Sequence, residues 1–121
     1  MFVPALTIET IWAILNDTLD DDTTNRLVWD CLGYRYDGAV WMSEDVDLDW
    51  RSAYPQPPDF IASRPAVVKL TRSIPAENKQ LLKEKLGFAG YKLDELIPRK
   101  TRRATIANWL LSYQQLNGID D

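Results

Sequence analysis

Lys92–Gln115 reads KLDELIPRKTRRATIANWLLSYQQ. Leu93, Leu96 and Ile97 suggest one helical turn, halted by Pro98, whose ring and missing N–H bar it from a helix interior. A long helix then runs from about Arg99 or Thr101 to Leu116, with Gly118 as its cap. Ile106, Trp109, Leu110 and Tyr113 share one face of it. Continued toward the N-terminus, that face reaches Arg102 and Arg103, with Arg99 and Lys100 just before. Cations at a helix N-terminus oppose the macrodipole, at about 0.3–1 kcal/mol each on a surface. Four together need a compensating anion, either from within the chain or from a partner seated on the backbone N–H groups of that end.

The rest of the chain offers such anions. Residues 1–60 hold 12 Asp/Glu against 3 Lys/Arg, a net −9; residues 61–121 hold 6 against 11, a net +5. This asymmetry describes an acidic N-terminal lobe, 1–60, and a basic C-terminal lobe, 61–121, of a single domain spanning 1–121. At 121 residues, 45% hydrophobic and 26% charged, the chain can bury a core without staples.

Composition also excludes chemistry. The chain has no histidine, which removes Ser-His and Cys-His nucleophile pairs and any His-bearing zinc site. Its one cysteine, Cys31, excludes an internal disulfide. Asp45, Asp47 and Asp49 fail the EF-hand pattern, because Trp50 and Gln56 stand where Gly and Glu are required. Asp20–Asp22 suits a helix start better than a metal. We therefore expect no catalytic residue, no metal site and no cofactor. No apolar run approaches the roughly 20 residues of a membrane span, and the start has no signal-peptide pattern, so a cytoplasmic, membrane-free protein is expected.

Along the chain, Ile8, Ile11, Trp12 and Leu15 predict a helix over 5–17 with Thr7 as N-cap, and Leu27, Val28, Cys31 and Leu32 a second over 23–32, closed by Gly33. Aromatic and β-branched residues around Asp37-Gly38 predict a short hairpin with a two-residue type I′ turn. The alternation over Ser43–Trp50 predicts an extended segment. The proline-rich stretch 54–65 reads as an ordered joint, with one helical turn at Asp59–Ala62 and with Tyr54 and Phe60 as candidate docking residues. Ala66–Leu70 is open between strand and helix. Ile74-Pro75 opens a helix carrying Leu81, Leu82 and Leu86 and ending at Gly87. The fold class is mainly α with a small β-hairpin (α+β), a compact single domain with a helix-turn-helix-like outline in its C-terminal half. Its core is formed by Trp12, Leu15, Leu27, Val28, Leu81, Leu82, Ile106, Trp109 and Leu110.

The candidate site is the basic end of the last helix. Arg99, Lys100, Arg102, Arg103, Thr105 and Asn108 form an anion- or partner-binding set. Three readings stand. The arginines pair with carboxylates of residues 1–60; or they meet a protein partner; or segment 77–113 presents Arg102, Arg103, Thr105 and Asn108 to nucleic acid. The acidic pI of about 4.8 weighs against the last. The leading function is a non-enzymatic interaction, regulatory or assembly module; nucleic-acid binding through 77–113 is the alternative, and a carboxylate- or Mg²⁺-dependent enzyme using Asp20–Asp22 or Asp45, Asp47 and Asp49 is the least favoured reading. Oligomeric state is open.

The segments IWAILND, CLGYRYD, PPDFI, RPAVVKLTRSIP, ENKQLLKEKLGF, PRKTRRAT and NWLLSY resemble an uncharacterised family of small soluble proteins of cyanobacteria and plastids, a domain of unknown function. The likeness runs from about Ile11 to Tyr113. It implies a cyanobacterial cytosol or chloroplast stroma and transfers no catalytic residue.

Overall fold

The computed structural model describes residues 3–119. Thr7 opens it: its hydroxyl accepts the Thr10 N–H at 3.2 Å, and helix α1 follows over Ile8–Leu15. Asp20 caps helix α2, Asp21–Leu32, by accepting the Thr23 N–H at 2.7 Å. The helix thus begins two residues before the expected boundary, with Asp21 and Asp22 in its first turn, where the positive end of the macrodipole favours carboxylates. Gly33 ends it in the left-handed region at φ 106°.

The hairpin pairs β1, Arg35–Tyr36, with β2, Trp41–Met42, antiparallel, Arg35 opposite Met42 and Tyr36 opposite Trp41. Its turn centres one residue later than Asp37-Gly38. Asp37 instead closes the turn, its Oδ1 accepting the Ala39 and Val40 N–H groups at 2.8 Å each. Gly38, at φ 102°, takes the backbone position that an L side chain resists.

The Ser43–Trp50 stretch is not extended. A turn leads into helix α3, Leu48–Ala53, and Leu48 is 67% exposed while Val46 and Trp50 are buried. Burial four residues apart is a helical spacing, and the alternation was satisfied only by counting Leu48. The joint is ordered, as expected. The Asp59 carboxylate accepts the Ile61 and Ala62 N–H groups and the Asn25 amide, and the Trp29 indole donates to the Pro58 carbonyl at 2.7 Å. Ser63 then caps helix α4, Arg64–Ser73, with Pro65 in its first turn, which settles Ala66–Leu70 as helix. After Pro75 the chain makes a 3-10 turn, Ala76–Asn78, and only then helix α5, Leu81–Leu86, stopped by Gly87. The single helix expected here is broken because Asn78 turns fully inward, its side chain donating to Ser112 Oγ at 3.1 Å. A 3-10 turn over Leu93–Glu95 precedes helix α6, Pro98–Leu116.

Helix α6 is the axis, packing against α1, α2, α4 and α5. Ile106, Ala107, Trp109, Leu110 and Leu111 are all buried, so the helix is covered nearly all round at this level. Acidic and basic halves therefore share one core. Of the expected core residues, Trp12 and Leu82 sit half-buried at its margin, and Phe60, Leu70, Ile11 and Ile14 fill the centre. The polar residues of α6 are also engaged. Asn108 Oδ1 accepts the Leu82 N–H at 3.1 Å, capping α5 from another helix, and Asn108 Nδ2 donates to the Asn78 carbonyl at 3.0 Å. Gln114 reaches the Leu6 carbonyl. Among the described residues, no buried side-chain polar atom lacks a partner.

Two glycine substitutions test this geometry. A Cβ on Gly33 would lie 2.5 Å from the Asp45 carbonyl oxygen, whereas one on Gly38 meets nothing within 4 Å. Thermal unfolding should show Gly33→Ala destabilised by about 2–4 kcal/mol, backbone strain plus overpacking. Gly38→Ala should lose only the backbone part, about 1–2 kcal/mol.

Candidate functional site

The basic start of α6 meets the turn between α1 and α2. Arg103 is 1% exposed. Its Nη1 donates to Asp21 Oδ1 at 2.7 Å, its Nε and Nη2 to the Ile14 carbonyl, and its Nη2 also to the Leu19 carbonyl. Arg99 grips two carboxylates with paired bonds, Asp17 at 2.7 and 2.7 Å and Asp21 at 3.0 and 2.9 Å. Such two-pronged pairs are among the stronger protein hydrogen bonds. The Arg99 guanidinium holds the Asp17 carboxyl below the usual carboxylate range, aided by the charge of Arg103. The two carboxylates in turn raise the Arg99 guanidinium further. Asp17 itself sits at φ 59°, the one non-glycine at positive φ among the described residues.

The other expected site residues point elsewhere. Lys100 lies 3.6 Å from Glu95 and over the Tyr91 ring. Arg102 turns toward α4 and donates to the Ile61 carbonyl at 2.9 Å. Thr105 is half-buried, and Asn108 is buried as the tertiary cap of α5. The set Arg102, Arg103, Thr105 and Asn108 is thus not assembled on one open face. Two of the four are inside the fold. Eleven residues, 87–97, separate α5 from α6, where a helix-turn-helix has a turn of three or four. The docking pair is corrected likewise. Phe60 is fully buried, 5.9 Å from the Trp50 ring centre, and Tyr54 is half-buried, its carbonyl accepting the Tyr34 hydroxyl at 2.6 Å. No group of three or more Asp, Glu or Cys among the described residues is placed to hold a metal ion.

One open groove lies between α4 and the start of α6, about 390 Å³, lined by Arg64, Val67, Val68, Leu96, Ile97, Pro98, Thr101, Arg102 and Thr105. Leu96 is 51% and Ile97 47% exposed, and Leu93 beside them 87%. Ile97 is the N-cap of the 19-residue α6 and provides no side-chain cap. The position ahead of Pro98 was readable as an N-cap, where Ile ranks among the poorest residues. The Arg64, Val68, Arg72 spacing was hidden only while Ala66–Leu70 stood between strand and helix.

The clasp and the groove separate by stability. Arg103→Met removes a donor from the Ile14 and Leu19 carbonyls and a cation from Asp21, and should cost about 3 kcal/mol or more in urea unfolding. Arg64→Glu should stay within about 0.5 kcal/mol. Because the folded Asp17 carboxyl lies below its unfolded value, its contribution is complete above the ordinary carboxylate range near pH 4. It fades as pH falls through the folded value. Asp17→Asn should accordingly flatten the acid limb of the stability–pH curve.

No helix among the described residues is long and apolar enough to cross a membrane. No curated protein matches the sequence. A protein solved by solution NMR is 59% identical, with 98% of this chain and 99% of that one covered and a TM-score of 0.83. The profile of DUF1823, a domain of unknown function, matches residues 5–115. The chain belongs to that family.

Proposed function

We propose that the chain is a non-enzymatic protein-interaction module, a regulatory or assembly factor, and that it docks through the apolar knuckle Leu93, Leu96 and Ile97 and the groove beside it. The carrying observation is Ile97. A residue that caps nothing stands at the start of the longest helix, half exposed, beside two further exposed leucines. Fold stability favours Ser, Thr, Asp or Asn there. Local rules broken without structural return are expected where a surface has another task. Resemblance to small proteins of oxygenic phototrophs supports a cytosolic or stromal setting for that task. The basic clasp is not offered as the docking site, since Asp17 and Asp21 already occupy Arg99 and Arg103.

Ile97→Asp separates the two demands on this position. It should stabilise the fold by about 1 kcal/mol through a new N-cap, raising Tm by a few degrees. The same variant should lose a protein that the wild type retains from a cell extract in quantitative cross-linked pull-downs. Identical recovery by both proteins, or no recovery above a control by either, would overturn the proposal.

A further inference from the structure

We infer that the occupant of the groove is an acidic amphipathic helix of a protein partner. The inference rests on the interaction-module reading and adds the chemistry of the ligand. Its first ground is charge. Arg64, Val68 and Arg72 lie four residues apart along one stripe of α4. Arg64 and Arg72 are exposed, and among the described residues neither has an ionic or hydrogen-bond partner. Arg102, on the facing helix, is held by the Ile61 and Ala62 carbonyls, and no carboxylate among the described residues neutralises it. Lys69, on the same helix, has Asp49 at 3.1 Å. Asp17 and Asp21 are spent on the buried end of α6, and among the described residues these three arginines have no anion.

The second ground is backbone chemistry. Both walls of the groove are helices, α4 and α6, whose N–H and C=O groups are committed along their own axes. An extended peptide laid here would find no sheet edge and would bury its own polar backbone unpaired, at substantial cost. A helix satisfies its backbone internally and can offer side chains alone, the usual solution for a groove between two helices. Apolar residues at i, i+3, i+4 and i+7 would meet Val68, Leu96, Ile97 and Pro98, flanking Asp or Glu would meet Arg64 and Arg102 at the groove, and a helix that runs on along α4 past the groove's lining would reach Arg72.

The test is selection of 16-residue peptides from a random display library against the full chain. The enriched peptides are then titrated by amide NMR into the wild type and into Arg64→Glu/Arg72→Glu, both surface positions. Enriched sequences should carry helical apolar spacing with acidic flanks, shift amides of 64–72 and 96–105, and bind the double variant at least about tenfold more weakly. No enrichment, enrichment without acidic residues, or equal binding to the variant would overturn the inference. So would retardation of a DNA or RNA duplex at low salt that the double variant abolishes, because the arginines would then serve phosphates. Self-association of the wild type that the variant abolishes would point to a second copy and overturn it as well. Loss of partner capture by Ile97→Asp with no acidic helix selected removes this inference and leaves the module reading standing. Absent capture removes the reading itself.

Discussion

Everything at one end of the molecule depends on burying the Arg103 guanidinium. Taking a cation out of water costs several kcal/mol, and the cost is met only if its donors are nearly all used in good geometry. Arg103 meets that condition with Asp21 and the Ile14 and Leu19 carbonyls. The location supplies a further gain. Ile14 lies in the last turn of α1, where orphan carbonyls give the negative end of a helix dipole. The four terminal carbonyls of α1 are all taken: Trp12 by the Asn16 N–H, Ala13 by Thr18, Ile14 by Arg103, and Leu15 by the Tyr91 hydroxyl at 2.8 Å. A side chain from α6 thus completes α1, in the way that Asn108 completes α5.

Three helix ends meet there, and their electrostatics close on one another. The start of α6 repels its own arginines, the start of α2 attracts Asp21, and the end of α1 attracts cations. Placing Arg99 and Arg103 against Asp17, Asp21 and the Ile14 carbonyl turns one unfavourable placement into several favourable ones. Asp17 can stand where it does because Asp tolerates the left-handed region better than most side chains, and because Arg99 fixes it from two directions. That clasp ties the first turns of α6 to the turn between α1 and α2.

How far the chain could be read in advance follows the range of each interaction. Caps and stops were visible in Thr7, Asp20–Asp22, Gly33 and Gly87, because their physics lies within a few residues. The charge split showed that the arginines of α6 needed anions, and carboxylates of residues 1–60 were named as one source. Which carboxylates could not be read, since Arg99 and Asp17 are 82 residues apart. Asn108 was misplaced on an outward face for the same reason. Its partners, Leu82 and Asn78, come from a segment whose own helix is broken by the inward turn of Asn78. Leu48 misled because period-2 and period-4 burial agree at Val46 and Trp50 and differ only at the residue between them.

The same reasoning explains why the open face lies beside α4 and not at the arginine cluster that is densest in sequence. A run of cations is conspicuous, but folding supplies its partners first: Asp17 and Asp21 lie within the chain at high effective concentration, and any external anion would have to displace them. Charges two turns apart on a single helix, such as Arg64 and Arg72, have no such partner among the described residues and face solvent. Beside them, Ile97 occupies a cap position that Asp or Ser would fill with a gain in stability. Stability alone would favour replacing it, which is the cost that the proposed docking role of this surface accounts for.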